Sequence, residues 1–193
     1  MSPGPRKQFD PSLALERAMH VFWRHGFAGT SMSQLLAEMG IGKKSLYDTF
    51  GNKRELFLQT LDLYAAQNLE GLRAVLEKPG PALENLRELL GSPPEGSCRG
   101  CFLGTNMADF ELEDKEVAAR ICGHLKRIEQ ELEKILDKAR EQGEFGRGQD
   151  PARLSRLLSC LGQGTALVGR VGDCPQRQQD ALDAVFELLR RST

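Results

Sequence analysis

Apolar residues recur along almost the whole chain at the three- and four-residue spacing of a helix, and no stretch alternates as a strand does. Asp10-Pro11 opens the first helix, with aspartate as N-cap and proline at the first helical position, and Leu15, Ala18, Met19 and Phe22 follow on one face. Gly26 is expected to end it. The second helix starts at Thr30 or Ser31, where Gln34 stands at the right distance to close a capping box on Ser31. It carries Met32, Leu35, Leu36 and Met39 on one face and stops at Gly40. A third, Lys43 to Phe50, commits only Leu46 and Phe50 to a core, and Gly51 ends it. Asn52, with Glu55 three residues on, caps a long fourth helix whose stripe of Phe57, Leu61, Tyr64, Ala65, Leu69, Leu72 and Leu76 runs up to Pro79-Gly80-Pro81.

The remainder reads as further helices. A modest one covers 82–90, a Gly-, Ser- and Pro-rich loop covers 91–100, and a short helix is expected over 102–110. From 114 to 142 the stripe Val117, Ile121, Leu125, Ile128, Leu132, Ile135 and Ala139 predicts a helix of more than six turns. Asp150-Pro151 repeats the start signal for a helix to about Val171, and 175–191 supplies the last one. The expected fold is all-α, with an N-terminal three-helix helix-turn-helix unit over 1–54 and a larger helical unit over 55–193.

Composition changes this picture in one respect. The 193 residues include 26 Lys and Arg against 27 Asp and Glu, a net charge of −1 that excludes a polycation, so any nucleic-acid site must be local. Residues 1–54 hold a net +4 and the rest −5. Lys43, Lys44, Ser45, Tyr47, Asp48 and Thr49 project from the short third helix, which suits a major groove and its phosphates. Taken singly, the lysines also fit a solvated surface, Tyr47 a rim beside Phe50, and Thr30 a helix cap. No apolar run reaches the roughly 20 residues that span a bilayer. The polar opening Met1 to Gln8 has no signal-peptide pattern, so a cytoplasmic protein with reduced thiols is expected.

The run from Gly26-Phe27-Ala28-Gly29-Thr30-Ser31-Met32 through Leu35 and Gly40-Ile41-Gly42-Lys43-Lys44-Ser45-Leu46-Tyr47-Asp48-Thr49-Phe50 to Gly51-Asn52-Lys53-Arg54-Glu55-Leu56-Phe57 closely resembles the N-terminal domain of the tetracycline-repressor (TetR) family. The resemblance covers roughly residues 10 to 60. It implies a homodimer that binds a double-stranded DNA operator and represses nearby genes until a small-molecule effector enters the C-terminal domain. By the same resemblance Lys43, Lys44, Ser45 and Tyr47 belong to the recognition helix, and Tyr47, Thr30 and Lys53 contact phosphates. Many members carry a small residue where this chain has Lys44, a departure that adds a base-reading or phosphate-binding side chain.

Within the larger unit, the helix from Pro151 has two apolar faces. Leu154, Leu158, Leu161 and Thr165 lie along one; Leu157, Cys160, Gly164, Leu167 and Val171 lie along the other. Such a helix suits an intersubunit four-helix arrangement, the alternative being the core helix of a monomer. Phe57, Leu61, Tyr64, Met107, Phe110 and His124 are candidate lining residues of an effector pocket, although an aromatic or Met at helical spacing is more often core than pocket. Cys98-Arg99-Gly100-Cys101 suggests a thiol-based redox sensor or reductase as the alternative function. A metal site that also uses Cys122 and His124 is disfavoured, because the two point about 160° apart on one helix. With no nucleophile–base set and no phosphate-cradling glycine loop, neither catalysis nor a cofactor is expected.

Overall fold

A computed structural model describes residues 9–91, 100–107, 114–146, 148–169 and 175–190. Among them are nine helices and no strand: α1 Pro11–Gly29, α2 Met32–Met39, α3 Lys43–Phe50, α4 Lys53–Leu76, α5 Ala82–Gly91, α6 Phe102–Met107, α7 Lys115–Glu141, α8 Pro151–Val168 and α9 Pro175–Arg190. The local start signals act as written. Asp10 accepts from the backbone N–H groups of Ser12 and Leu13 at 2.8 and 3.4 Å. Ser31 and Gln34, then Asn52 and Glu55, form reciprocal capping boxes at the heads of α2 and α4.

Gly26 does not end α1 outright. It takes φ 73°, ψ 170° and kinks the chain, after which one more turn runs to Gly29. Gly51, between α3 and α4, is confined more tightly. Its φ is +79°, and a Cβ there would stand 1.8 Å from Glu55 Oε2, the carboxylate that closes the α4 capping box.

Two hydrophobic clusters are strung along α4 and α7. The first gathers Phe22, Leu35, Leu46, Phe50, Phe57 and Leu61 with Phe102, Leu103, Val117 and Ile121, so it joins α1–α3 to α6 and the start of α7. The second gathers Leu72, Leu76, Leu86, Leu132, Leu136, Phe145, Leu158 and Phe186. Its corner is closed at long range. Glu144, beyond the end of α7, accepts from the backbone N–H groups of Ala82 and Leu83 at 2.7 and 2.9 Å and so caps α5. No helix among the described residues is long and apolar enough to cross a membrane.

Candidate nucleic-acid interface

The α1–α4 end of the molecule is held by few residues, each buried for a clear reason. Leu46 and Phe50, at 0% and 5% exposure, anchor α3 by one stripe, and the eight-residue helix therefore turns its other side outward. Lys43, Lys44, Tyr47 and Asp48 are exposed, and Ser45 and Thr49 are half-buried. Tyr47 is 45% exposed, so nearly half of its surface faces outward. Gly42 precedes α3 with no side-chain cap on the helix, and its first turn carries no acidic residue. That end combines free backbone donors, the positive end of the helix dipole and two ammonium groups.

Lys53 opens α4 half-buried, with its Nζ 4.5 Å from the centre of the Phe27 ring. Phe27 belongs to the short turn after the Gly26 kink, and its carbonyl accepts from Thr30 N–H at 3.4 Å. Lys53 and Thr30 are thereby brought to the same α1–α2 corner. Thr30 itself departs from the expectation of a phosphate contact. It is 3% exposed and its hydroxyl donates to the Gly26 carbonyl at 2.6 Å, so its one proton is already used to close the kink. The exposed hydroxyls at this corner are Ser31, the true N-cap of α2, and Ser33, 3.0 Å away. Sequence reasoning named Ser31 only as a cap; its place next to Thr30 was the available signal.

Besides the first hydrophobic cluster, polar contacts tie this end to the rest of the chain. Arg54 pairs with Asp114 at 2.8 Å and Glu116 at 2.7 Å, joining the head of α4 to the head of α7. Hydrogen bonds from Arg54 hold both carboxyls below the usual carboxylate range. Trp23 of α1 donates its indole N–H to the Gly100 carbonyl at 3.1 Å. Next to it, Tyr64 O–H points at Cys101 Sγ, 3.5 Å away.

The candidate effector residues fall in the first core. Phe57, Leu61, Tyr64 and His124 are all buried there or against it, whereas Met107, 37% exposed, sits at the end of α6. Phe110 lies outside the described residues, as does Cys98. Phe57 and Tyr64 both pack on Phe102, with ring centroids 6.0 and 5.3 Å apart, and His124 meets Tyr64 edge-on at 6.1 Å. A separate open cleft of about 800 Å³ runs along α4 past Ala65, Leu69 and Arg73 to Arg127 of α7, and none of the five candidates among the described residues lines it. Cys122 is exposed while His124 is buried, so the two do diverge around α7.

His124 is strongly perturbed by its surroundings. Burial, and secondarily the charge of Arg127, lower its pKa from 6.5 to about 4. The unfolded chain takes up that proton near 6.5 and the folded one only near 4, so stability is complete above the first value and declines as pH falls towards the second. Urea unfolding should show a loss of about 2 kcal/mol between pH 7.5 and pH 5 from this group, and the His124→Leu protein should lack that component.

Comparison with known proteins agrees with this architecture. Residues 14–60 match a family model described as bacterial regulatory proteins, tetR family, and residues 84–185 match a tetracyclin repressor-like C-terminal domain. The chain is 31% identical to the uncharacterized HTH-type transcriptional regulator YezE of Bacillus subtilis over 96% of this chain and 99% of that protein. It is 28% identical to the HTH-type transcriptional repressor ComR of Escherichia coli over 89% of this chain and 84% of that one. Among solved structures it is similar to CifR, a TetR family transcriptional regulator held as a cysteine mutant on 26bp operator DNA, with a TM-score of 0.81, 24% identity, and 95% and 98% of the two chains covered.

Proposed function

The chain belongs to the TetR family of bacterial regulators, and from that premise we propose that it is a cytoplasmic, dimeric repressor released from a near-palindromic operator by a small molecule. The observation that carries the reading is the outward side of α3, where Lys43, Lys44 and Tyr47 stand exposed on a helix fixed from behind by Leu46 and Phe50. Residues 1–54 form the DNA-facing head and 55–193 the effector-binding and dimerisation body. The division of charge suits that plan, since a +4 head meets phosphates and a −5 body stays off them.

Dimerisation is supported by the second apolar face of α8. Leu157, Cys160, Gly164 and Leu167 are all exposed in the single chain, while the opposite side buries Leu158 in the second core. A second copy meeting the first along this stripe places two heads on one duplex, with half-sites about one helical turn or a multiple apart. CifR, held on operator DNA, gives the same fold a working example.

Selection of binding sites from random duplex DNA tests the reading. A recovered near-palindrome bound at least about a thousandfold better than random sequence supports it, and an unenriched pool refutes it. Lys53→Gln should lower the salt slope of binding by about two units, because each subunit then neutralises one phosphate fewer. Equal slopes in the two proteins would remove Lys53 from the interface.

A thiol response is the second reading, favoured by the position of Cys101. Its sulfur accepts from Tyr64 next to the Gly100 carbonyl that holds Trp23 of α1, so a modified sulfur would disturb a contact to the head. Operator affinity before and after mild oxidation, in wild type and Cys101→Ser, decides it. Equal responses exclude Cys101.

A further inference from the structure

Two buried acceptors stand beside one aromatic pair, Tyr64 and Phe102, and neither has a partner. Asn106 lies one turn after Phe102 on α6, 1% exposed, and donates its Nδ2–H to the Phe102 carbonyl at 2.8 Å. That bond fixes the amide's orientation and leaves Oδ1 unpaired. His124, also 1% exposed, meets the Tyr64 ring edge-on and has Nε2 3.1 Å from Asn68 Oδ1. With the Asn68 amide placed so that its Oδ1 faces the ring, that oxygen accepts, Nε2 carries the proton, and the buried Nδ1 presents a bare lone pair with no donor. The third unpaired buried side-chain atom among the described residues, Gln163 Oε1, is an acceptor as well. It lies across α6, 3.4 Å from where a Cβ of Gly104 would stand.

Native interiors rarely leave such atoms unpaired, and here every one lacks the same thing, a donor. We propose that His124 Nδ1 and Asn106 Oδ1, beside the Tyr64–Phe102 pair, form the polar recognition point of the effector, and that the effector is a small neutral molecule presenting a hydroxyl or N–H donor on an apolar body. This deepens the effector half of the proposed function and rests on it. The chemistry discriminates between ligand classes. A carboxylate brings lone pairs to lone pairs. An ammonium brings donors but adds a positive charge near Arg127, whose field already helps keep His124 neutral. A hydrocarbon fills space and leaves both acceptors unpaired. Tyr64, whose phenol burial holds well above its ordinary pKa, keeps its proton, which is directed at Cys101 Sγ, so it adds no negative charge beside the two acceptors.

The chain's one tryptophan reports on the site, because Trp23 packs 5.3 Å from Tyr64 and 5.7 Å from Phe102. Its fluorescence is titrated in the full-length protein with benzyl alcohol, benzoate, benzylammonium and toluene. Benzyl alcohol should bind about tenfold more tightly than each of the others, the worth of one hydrogen bond to an otherwise unpaired acceptor. His124→Leu and Asn106→Leu are each checked for folding by thermal melting; the variant that removes the acceptor of the alcohol's single O–H should bring benzyl alcohol down to the level of toluene.

Equal or tighter binding of benzoate or benzylammonium overturns the inference, as does a preference for benzyl alcohol that survives both substitutions. Binding by none of the four also overturns it, since the acceptors are then met by buried water. Operator binding measured in the same samples separates the two readings. Probe failure with operator binding intact refutes this inference alone, while absence of operator binding throughout refutes the repressor reading.

Discussion

Replacing Leu157 and Leu167 together by aspartate should yield a folded monomer whose operator affinity is about a thousandfold lower, because the second head is no longer tethered to the first. Both side chains belong to the outward stripe of α8, at 51% and 55% exposure, so the single chain has little to lose at either position. A surface change of this kind moves folding stability by about 0.5 kcal/mol or less. The dimer has more at stake. Four leucines leave the interface, each worth about 1.5–3 kcal/mol when fully buried and less here because each is already half covered, and four carboxylates enter across a two-fold axis. Sedimentation velocity at micromolar concentration reads the assembly, and circular dichroism confirms the fold. A variant that remains dimeric would place the interface elsewhere.

The second large effect is expected at α3. Changing Lys43 and Lys44 to alanine removes four charges from the dimer and should weaken operator binding by about a thousandfold at low salt, lowering the salt slope by about four units. Stability should hardly change, because neither lysine is buried and α3 is fixed through Leu46 and Phe50. Position is separated from net charge by a control further along α7, where Lys126 and Lys134 are both exposed. Lys126→Ala with Lys134→Ala makes the same change in total charge and should leave operator affinity within about twofold, since exposed charges beyond a Debye length are screened. Equal losses in the two pairs would mean that bulk charge, and not α3, governs binding.

Much of the outward side of α3 was legible in the sequence, for a local reason. Every cap involved acts within four residues of chain: Asp10 on Ser12 and Leu13, Ser31 with Gln34, Asn52 with Glu55. Once two apolar residues four apart are assigned to a core, the phase of an eight-residue helix follows, and with it the outward placement of Lys43, Lys44 and Tyr47. Thr30 shows where that reasoning stops. Whether a hydroxyl faces a phosphate or folds back onto Gly26 depends on a kink at φ 73°, a backbone choice that glycine permits but does not announce.

The candidate effector residues were less legible because their role depends on contacts far apart in sequence. An aromatic residue on an apolar stripe packs or lines a pocket according to what faces it, and the stripe does not contain that information. Tyr64 faces Phe102, His124 faces Asn68, and Arg54 faces Asp114, pairs separated by 38 to 60 residues.

By itself the sequence determined the all-helical class, the helix boundaries to within a few residues, the helix-turn-helix unit and the concentration of positive charge at one end. These follow from periodicity, capping and charge order, all of which act over a turn or two of helix. Tertiary structure alone decided that Thr30 turns inward, that Glu144 caps α5, that Arg54 and Trp23 tie the head to the body, and that His124 and Asn106 each leave a buried acceptor unpaired. Those outcomes depend on which helices meet and at what distance, and hydrogen-bond satisfaction can be judged only after burial is known.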